Sequence, residues 1–260
     1  MKIEPLLVEK PWGGSWLGKH YGSSSKIGEA WLLSTLREGQ SRADGRALGD
    51  VVGDLPFVVK IIDAADPLSV QVHPNDEWAA RLENSRGKTE CWLILDAKPG
   101  AGVYMGLRDG VSGEQFAATL SEGRSVEDLV RFYPVQRGDF ITVPAGTIHA
   151  IGGGVTLLEV QQASGITYRL WDWGRPGREL HLDKGLQVAS YARNFSIEPR
   201  ILDSQTPRAL LKHSDFQCYY NEAPKDPLDD PATEGWFIDL DSYEVYRAAS
   251  PHSARYLFVR

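Results

Sequence analysis

The sequence has few of the features that mark secreted, membrane-spanning or nucleic-acid-binding proteins. Its two cysteines, Cys91 and Cys218, are too few for a disulfide framework and indicate a reduced compartment. No apolar stretch approaches membrane-spanning length, and the N-terminus lacks the apolar core of a signal peptide. The formal net charge is -7, without a long basic run. We therefore expect a soluble cytoplasmic protein that binds neither membrane nor nucleic acid, although a local basic pocket could still bind an anionic ligand.

Turn-forming residues are abundant. The 26 glycines and 15 prolines separate short runs that are rich in β-branched and aromatic residues, such as PFVVKII, ECWLIL, DFITVPA and VTLLEVQQA. These runs are too closely spaced for crossover helices, so the pattern favours an antiparallel sandwich or barrel over an α/β sheet. The length of 260 residues is ample for a buried core.

Two stretches predict helices between the strands. Residues 75–85 follow a proline, and Asn75 is a good N-cap residue. Residues 112–132 predict two short helices, capped by Ser112 and Ser125 and separated by Gly123. The segment 221–235 is rich in proline and aspartate and predicts a long loop or linker.

One short strand carries polar residues on a single face. In SVQVHPND, Gln71 and His73 are two residues apart and share a face, while Val70 and Val72 share the other. A Gln/His pair alone is more often a solvated sheet face. The same pair could also bind a metal ion or a substrate.

Two later segments strengthen the hypothesis of a metal site. Glu90 begins the apolar run in GKTECWLIL, and His149 follows a turn in GDFITVPAGTIHAIGGG. Separately, the residues have structural explanations: a sheet-surface glutamine, a salt-bridging strand end and a turn histidine. Together Gln71, His73, Glu90 and His149 predict a site for one Zn2+ per subunit, although the same donors also suit Fe, Mn, Co or Ni.

The spacing Gly, five residues, Pro, one, Gly, two, His resembles the second metal-binding motif of the cupin barrels, and QVH…E resembles their first motif with Gln replacing the leading His. Six longer stretches resemble the type I mannose-6-phosphate isomerase family in its short bacterial form: PWGG, KIGEAWLLS, PFVVKIIDAADPLSVQVHPND, GKTECW, VPAGTIHAIGGGVTLLEVQQASGITYRLWDWGR and RELHLDKGL. They occur in family order over about two thirds of the chain.

The resemblance implies a mainly β protein built on a cupin-type jelly-roll barrel with short helical insertions. Residues 1–200 would form this catalytic barrel. Residues 201–260 would form part of a second barrel, which is incomplete here because family members usually continue further. The implied activity is the interconversion of mannose 6-phosphate and fructose 6-phosphate by enediol proton transfer, with a zinc site that resembles the Gln/His/Glu/His set.

The resemblance also implies roles for individual residues. Arg169 matches the position of the family's catalytic arginine; a surface salt bridge to Asp172 or Glu179 is the alternative. Glu159 is the candidate base, since burial in an apolar strand would raise its pKa; it could equally be a buried partner of Arg169 or Lys60.

Three further residues complete the predicted site. Lys88 shares a strand face with Glu90 and could assist ring opening or bind a sugar oxygen. Ser69 and Lys60 resemble residues on the phosphate side of the family's site, although Lys60 alone would be taken for an ordinary strand-end lysine. Trp12 and Trp31 could line the sugar pocket or belong to the core.

Two other functions stay open on the sequence. One is a cupin that binds a sugar phosphate without converting it, and the other is a different metal-dependent cupin enzyme, such as an iron oxygenase. The sequence does not decide between a monomer and a homodimer.

Overall fold

The computed structural model describes residues 1–203, 206–221, 235–248 and 255–260. Five short α-helices are present in these ranges: α1 (Trp16–His20), α2 (Leu48–Val52), α3 (Asp76–Glu83), α4 (Gly113–Ser121) and α5 (Leu182–Val188). A 3-10 helix follows at Ile201–Asp203. No helix in the described ranges is long and apolar enough to cross a membrane.

Strands make up most of the regular secondary structure in the described residues, as the sequence predicted. In chain order they are β1 (Ile3–Glu4), β2 (Leu6–Gly14), β3 (Ile27–Leu33), β4 (Thr35–Leu36), β5 (Gly39–Gln40), β6 (Arg42–Ala43), β7 (Arg46–Ala47), β8 (Phe57–Ala64), β9 (Val70–Val72), β10 (Glu90–Ala97), β11 (Gly102–Leu107), β12 (Val130–Pro134), β13 (Phe140–Val143), β14 (His149–Ile151), β15 (Val155–Gln162), β16 (Tyr168–Trp171), β17 (Ser196–Glu198), β18 (Arg208–Lys212), β19 (Gln217–Tyr220), β20 (Gly235–Asp239), β21 (Val245–Ala248) and β22 (Tyr256–Val259).

Three antiparallel sheets contain most of these strands. The seven-stranded sheet has the order β17-β13-β10-β15-β8-β2-β3, the five-stranded sheet β12-β11-β14-β9-β16, and the C-terminal sheet β18-β19-β22-β20-β21. The remaining strands form two small sheets, β1-β6-β7 and β4-β5. This is the mainly β architecture expected for a cupin, with facing sheets and, in the residues described, no sheet that closes on itself.

The seven-stranded sheet lies in the middle of the molecule and is buried on both faces. One face packs on the five-stranded sheet through a core that includes Trp92 and Ile94 on one side and Val103 and Ile151 on the other. The opposite face packs on the C-terminal sheet, mainly through aliphatic and aromatic residues. Burial on both sides explains why β8 and β15 read as nearly continuous apolar runs.

Helices cover the outer face of the five-stranded sheet. Val70 and Val72 of β9 pack there against Phe116 and Leu120 of α4 and Val188 of α5. The apolar face predicted for β9 therefore faces the helices, and its polar face is left for the interior between the two sheets.

The predicted helix starts are only partly confirmed. Asn75 caps α3 by accepting a hydrogen bond from the Trp78 amide, and Ser112 caps α4 in the same way from the Gln115 amide. The second helix predicted within 112–132 is wrong. After α4 the chain makes turns up to Leu129 and then enters β12, because Val130 is needed for the core beneath α4.

The described C-terminal residues form a sheet that packs on the seven-stranded sheet. Cys218 and Trp236 belong to the same core as Cys91 and Leu93 of the seven-stranded sheet. The division into domains at about residue 200, with an incomplete second barrel, stays a prediction. The predicted linker 221–235 lies, except for its two end residues, outside the described residues.

Candidate active site

Two histidines and a glutamate meet between the seven-stranded and five-stranded sheets. His73 follows β9, His149 begins β14, and Glu90 begins β10 on the facing sheet. Nε2 of His73 lies 3.5 Å from one Glu90 carboxylate oxygen, and Nε2 of His149 lies 3.4 Å from the other. The three ligand atoms lie within 4.8 Å of one another, and all three side chains are buried. This spacing would allow one cation to contact all three residues.

Both histidine rings are held by main-chain carbonyl groups. Nδ1 of His73 is 2.9 Å from the Ile166 oxygen, and Nδ1 of His149 is 2.8 Å from the Thr147 oxygen. Because a carbonyl oxygen can only accept, each Nδ1 carries the hydrogen and each Nε2 presents a lone pair towards Glu90. Burial lowers the pKa of both rings, with a further contribution at His73 from the charge of Lys88, and the pKa of His149 falls to about 4. The rings are therefore in the neutral form that binds metals.

The donors around this point fit a divalent cation. Both Glu90 oxygens are buried, and Oε1 has no hydrogen-bond partner among the described residues. The Lys88 ammonium lies 2.8 Å from Oε2 and 3.0 Å from Nε2 of His73. The Gln71 side-chain nitrogen lies 3.3 Å from Nε2 of His149. Rotating the amide group by about 180° would bring its oxygen to this position. Two imidazoles, one carboxylate and one amide oxygen form a donor set that zinc accepts.

A row of paired residues crosses the five-stranded sheet at this point. Gln71 of β9 is directly opposite His149 of β14 on one side and Arg169 of β16 on the other. Directly opposed residues in antiparallel strands project to the same face. The pairing therefore places the Arg169 side chain beside the predicted metal ligands.

A second row of paired residues crosses the seven-stranded sheet. It lies on the face that is directed towards the five-stranded sheet. Glu159 of β15 is paired with Trp92 of β10 and with Lys60 of β8, and Lys60 is paired with Trp31 of β3. The Trp92 indole donates to Glu159 Oε2 over 3.0 Å, and the Lys60 ammonium lies 3.8 Å from Oε1. Burial, with the nearby charge of Glu90, raises the pKa of Glu159, the direction expected for a base in an apolar strand.

A cavity of about 310 Å³ lies above these two rows. Its walls include the following residues relevant to the site: Ser69, Gln71, Lys88, Glu159, Arg169 and Arg178. The volume lies at the lower end of the range for small-molecule sites. A larger cavity of about 480 Å³ is lined by Phe57, Phe216 and Trp236 among others, but it contains none of the predicted site residues.

Comparisons with known proteins show the family to which the chain belongs. The family model for the catalytic domain of phosphomannose isomerase type I matches residues 2–91. The mannose-6-phosphate isomerase ManA of Bacillus subtilis is 38% identical over 212 residues, which cover 72% of this chain and 66% of that protein. The mannose-6-phosphate isomerase of Streptococcus mutans is 34% identical over 248 residues, which cover 84% of this chain and 78% of that protein. The chain belongs to the type I mannose-6-phosphate isomerase family. The expected family and enzyme class are thereby confirmed.

Solved structures show that the isomerase fold extends over the whole chain. A crystal structure of the mannose 6-phosphate isomerase from Bacillus subtilis superposes with a TM-score of 0.73 at 24% identity, covering 99% of this chain and 98% of that one. A mannose 6-phosphate isomerase structure bound with zinc and yttrium superposes with a TM-score of 0.62 at 16% identity, again covering 99% and 98%. Because the sequence identities are no higher than 24%, these superpositions establish the fold alone.

The structure brings the predicted site residues of this isomerase-family chain together. All four predicted ligands lie at one point, and Ser69, Lys60, Lys88, Glu159 and Arg169 line the adjoining cavity. Arg169 does not take the salt bridge considered as its alternative: Asp172 accepts from Arg175 and Arg178, and Arg169 Nη1 donates to the main-chain oxygen of Glu179 over 2.6 Å. Glu159 does contact Lys60, one of the two partners considered as the alternative to its role as base.

Sequence reasoning missed three charged residues that line this cavity, Lys10, Glu29 and Arg178. Glu29 of β3 lies 3.3 Å from the Lys10 ammonium and 4.0 Å from that of Lys60, and it accepts a hydrogen bond from the Trp31 indole over 2.6 Å. A lone carboxylate in the apolar strand IGEAWLL was the available signal for Glu29, as it was for Glu159. Arg178 lies in a loop, where no periodicity could have singled it out.

Proposed function

We propose that this enzyme interconverts mannose 6-phosphate and fructose 6-phosphate and depends on one zinc ion, held by Gln71, His73, Glu90 and His149. Family membership supports the reaction. The observation that carries the metal dependence is the pair of neutral imidazoles aimed at a buried carboxylate, of which one oxygen, Oε1, has no hydrogen-bond partner among the described residues. The zinc in a structurally similar isomerase supports the choice of metal.

The reaction moves hydrogen between C1 and C2 of the open-chain sugar phosphate. A base removes the C2 proton and returns it to C1, while a proton passes from O2 to O1. When bound, a divalent cation would supply positive charge near the oxygens on which negative charge develops. The protein's own side chains would carry out the proton transfers.

Glu159 is our candidate for the base that carries the proton between carbons. Its carboxylate is buried on the substrate-facing side of β15, and its raised pKa makes it a stronger base than an ordinary carboxylate. The Trp92 indole and the Lys60 ammonium orient it.

Arg169 and Lys88 are our candidates for stabilising charge and moving the oxygen-bound proton. Arg169 carries a guanidinium that stays cationic at any working pH and can contact two oxygens at once. Lys88 lies beside Glu90, and although burial opposes its charge, the carboxylates of Glu90 and Glu159 raise its pKa. Ser69 and Lys60, on the wall of the same cavity, are proposed to bind the substrate.

The test combines metal analysis with turnover. Zinc-loaded protein should convert mannose 6-phosphate, and in D2O it should exchange the C1/C2 hydrogen with solvent. The variant His149→Ala should lose both zinc and activity. The variant His20→Ala, which removes an exposed histidine outside the site, should keep both.

Three results would contradict the proposal. Full zinc content in His149→Ala would place the metal elsewhere. Stabilisation by mannose 6-phosphate without turnover or hydrogen exchange would indicate the non-catalytic sugar-phosphate-binding cupin. Iron in freshly purified protein together with oxygen uptake would indicate the oxygenase.

A further inference from the structure

The strand that carries Arg169 lies at the edge of the five-stranded sheet. β16 pairs with β9 on one side only. In an antiparallel strand, alternate residues direct their peptide N–H and C=O groups to opposite sides, so an edge strand leaves every second residue without a strand partner. Arg169 is one of the outward-directed residues, because both of its peptide groups bond to His181, twelve residues later in the chain.

His181 takes the place of a neighbouring strand at Arg169. Its Nδ1 accepts the Arg169 N–H over 3.1 Å, and its own N–H donates to the Arg169 oxygen over 2.7 Å. The imidazole thus provides the acceptor that a paired strand would provide with a carbonyl oxygen. A ring nitrogen accepts only when it carries no proton, so this contact requires the neutral ring with its hydrogen on Nε2.

The start of helix α5 fixes the position of His181. His181 is the N-cap residue of α5, and its oxygen accepts from the Gly185 amide over 2.8 Å. Its side chain does not cap the helix and is turned to β16 instead. The helix also packs closely on this strand, since a Cβ at Gly185 would lie only 2.5 Å from Cδ2 of Leu170. The imidazole is therefore held by an element that is itself packed against β16.

The same segment holds the Arg169 side chain. Nη1 of Arg169 donates to the Glu179 main-chain oxygen over 2.6 Å. Residues 179–181 therefore contact Arg169 at its amide, its oxygen and its guanidinium. On its other side Arg169 is paired with Gln71, one of the predicted metal ligands. A shift of the strand at this residue would move the guanidinium relative to the metal site, and displacements of about 1 Å can lower turnover considerably.

We propose that His181 is a positioning residue for the isomerisation: by accepting the Arg169 amide through Nδ1, it fixes the strand edge and keeps the guanidinium beside the metal ligands. In the described part of the chain, His181 is not among the residues that line the cavity, so it acts through Arg169 rather than on the substrate. The inference rests on the proposed function, in which Arg169 takes part in the reaction.

Substitutions at His181 separate the hydrogen bond from the rest of the side chain. In His181→Asn the amide oxygen can take the place of Nδ1, whereas His181→Leu offers no acceptor. In zinc-loaded protein, His181→Leu should lower kcat for mannose 6-phosphate ~10-fold or more, with a much smaller change in KM, and His181→Asn should recover most of the loss. Zinc content should be equal in both. His181→Ala replaces the leucine variant if the latter does not fold.

His213→Leu is the matched control. Nδ1 of His213 also accepts a main-chain amide, that of Asp215, over 3.2 Å. His213 lines the larger cavity, which contains none of the predicted site residues. Its replacement removes the same kind of contact from another part of the protein, so kcat and KM should stay unchanged.

Amide hydrogen exchange separates this inference from the proposed function. The Arg169 amide, followed by NMR, should exchange slowly in wild type and in His181→Asn, and ~10-fold faster or more in His181→Leu. Wild-type protein that binds zinc without turnover would overturn the proposed function, and exchange would still decide whether His181 holds Arg169. Equal exchange in wild type and His181→Leu, a loss of kcat that His181→Asn does not recover, or an equal loss in His213→Leu would overturn the inference.

Discussion

Trp92 shows how one side chain can serve both the core and the site. Its ring is fully buried between the two facing sheets, and its indole N–H donates to Glu159. The bulk of the ring therefore packs the core while its single polar atom orients the proposed base. A tryptophan suits this position because it combines a large apolar surface with one donor.

Replacing Trp92 by Phe should destabilise the protein by about 1–3 kcal/mol, because it leaves a buried carboxylate with one donor fewer. Urea unfolding of the purified variant would measure the change. Trp16→Phe is the control: Trp16 is 37% exposed, and its replacement should change stability by about 0.5 kcal/mol or less. Equal effects of the two variants would show that the contact with Glu159 contributes little.

At the scale of elements, the turn between β13 and β14 positions one of the predicted ligands. Gly146 has a φ of +85°, and its amide donates to the His73 oxygen over 2.8 Å. A Cβ at this position would lie 3.2 Å from the Val188 oxygen and from the Ser190 Cβ. The turn thus connects the backbone of His73 to the segment that leads into His149, and only glycine fits it without strain.

The variant Gly146→Ala should be destabilised and should bind zinc more weakly. We expect a loss of about 1–2 kcal/mol from the left-handed backbone alone, with an additional loss from the close contacts. Gly22→Ala is the control, because Gly22 has a φ of +73° but nothing within 4 Å of its Cβ position. Thermal unfolding with and without zinc would separate the loss of stability from the loss of zinc affinity. If both variants lost equal stability and kept equal zinc affinity, the contacts at Gly146 would be irrelevant.

Alternation along β15 directs neighbouring leucines to different cores. Leu157 belongs to the core between the two sheets that hold the predicted ligands, and Leu158 belongs to the core shared with the C-terminal sheet. Both side chains are buried. The same residue type at adjacent positions therefore provides a comparison between the two layers.

Leu157→Ala and Leu158→Ala should each cost about 2–5 kcal/mol of stability, measured by urea unfolding. Only Leu157→Ala should also weaken zinc binding, because it loosens the contact between the sheet carrying Glu90 and the sheet carrying the two histidines. Zinc titration of the folded variants gives this second measurement. Equal zinc affinity in both variants would mean that the ligand geometry does not depend on this core.

At the scale of the whole molecule, the proposed metal would join two sheets. Glu90 comes from the seven-stranded sheet, whereas His149 belongs to the five-stranded sheet and His73 directly follows its strand β9. A ligand that binds only the folded state stabilises it by mass action, so the metal should contribute to global stability as well as to chemistry.

Removing zinc with a chelator should lower the Tm. At free zinc about 100 times the Kd the stabilisation is about 2.7 kcal/mol, which corresponds to a shift of about 5–10 °C for a chain of this size. Calorimetry before and after chelation measures the shift, and added zinc should reverse it. Magnesium, which prefers oxygen ligands, should not. An unchanged Tm after verified zinc removal would contradict a metal that bridges the two sheets.

The sequence determined the features that depend on local chemistry. Strand periodicity placed Gln71 and His73 on one face and Val70 and Val72 on the other, glycine and proline predicted the turn before His149, and the caps of α3 and α4 were readable at Asn75 and Ser112. It predicted a helix within 122–132 that does not form, since local propensity there is weaker than the demand of the core for Val130.

Only the tertiary structure decided which distant residues face one another. The pairing of Gln71 with His149 and Arg169, and of Glu159 with Trp92 and Lys60, depends on sheet register, which is set by the packing of whole faces. Arg178 reaches the cavity from a loop through its contact with Asp172, and no local pattern encodes that contact. Ligand identity could therefore be predicted from residue type and spacing, whereas the position of Arg178 required the folded chain.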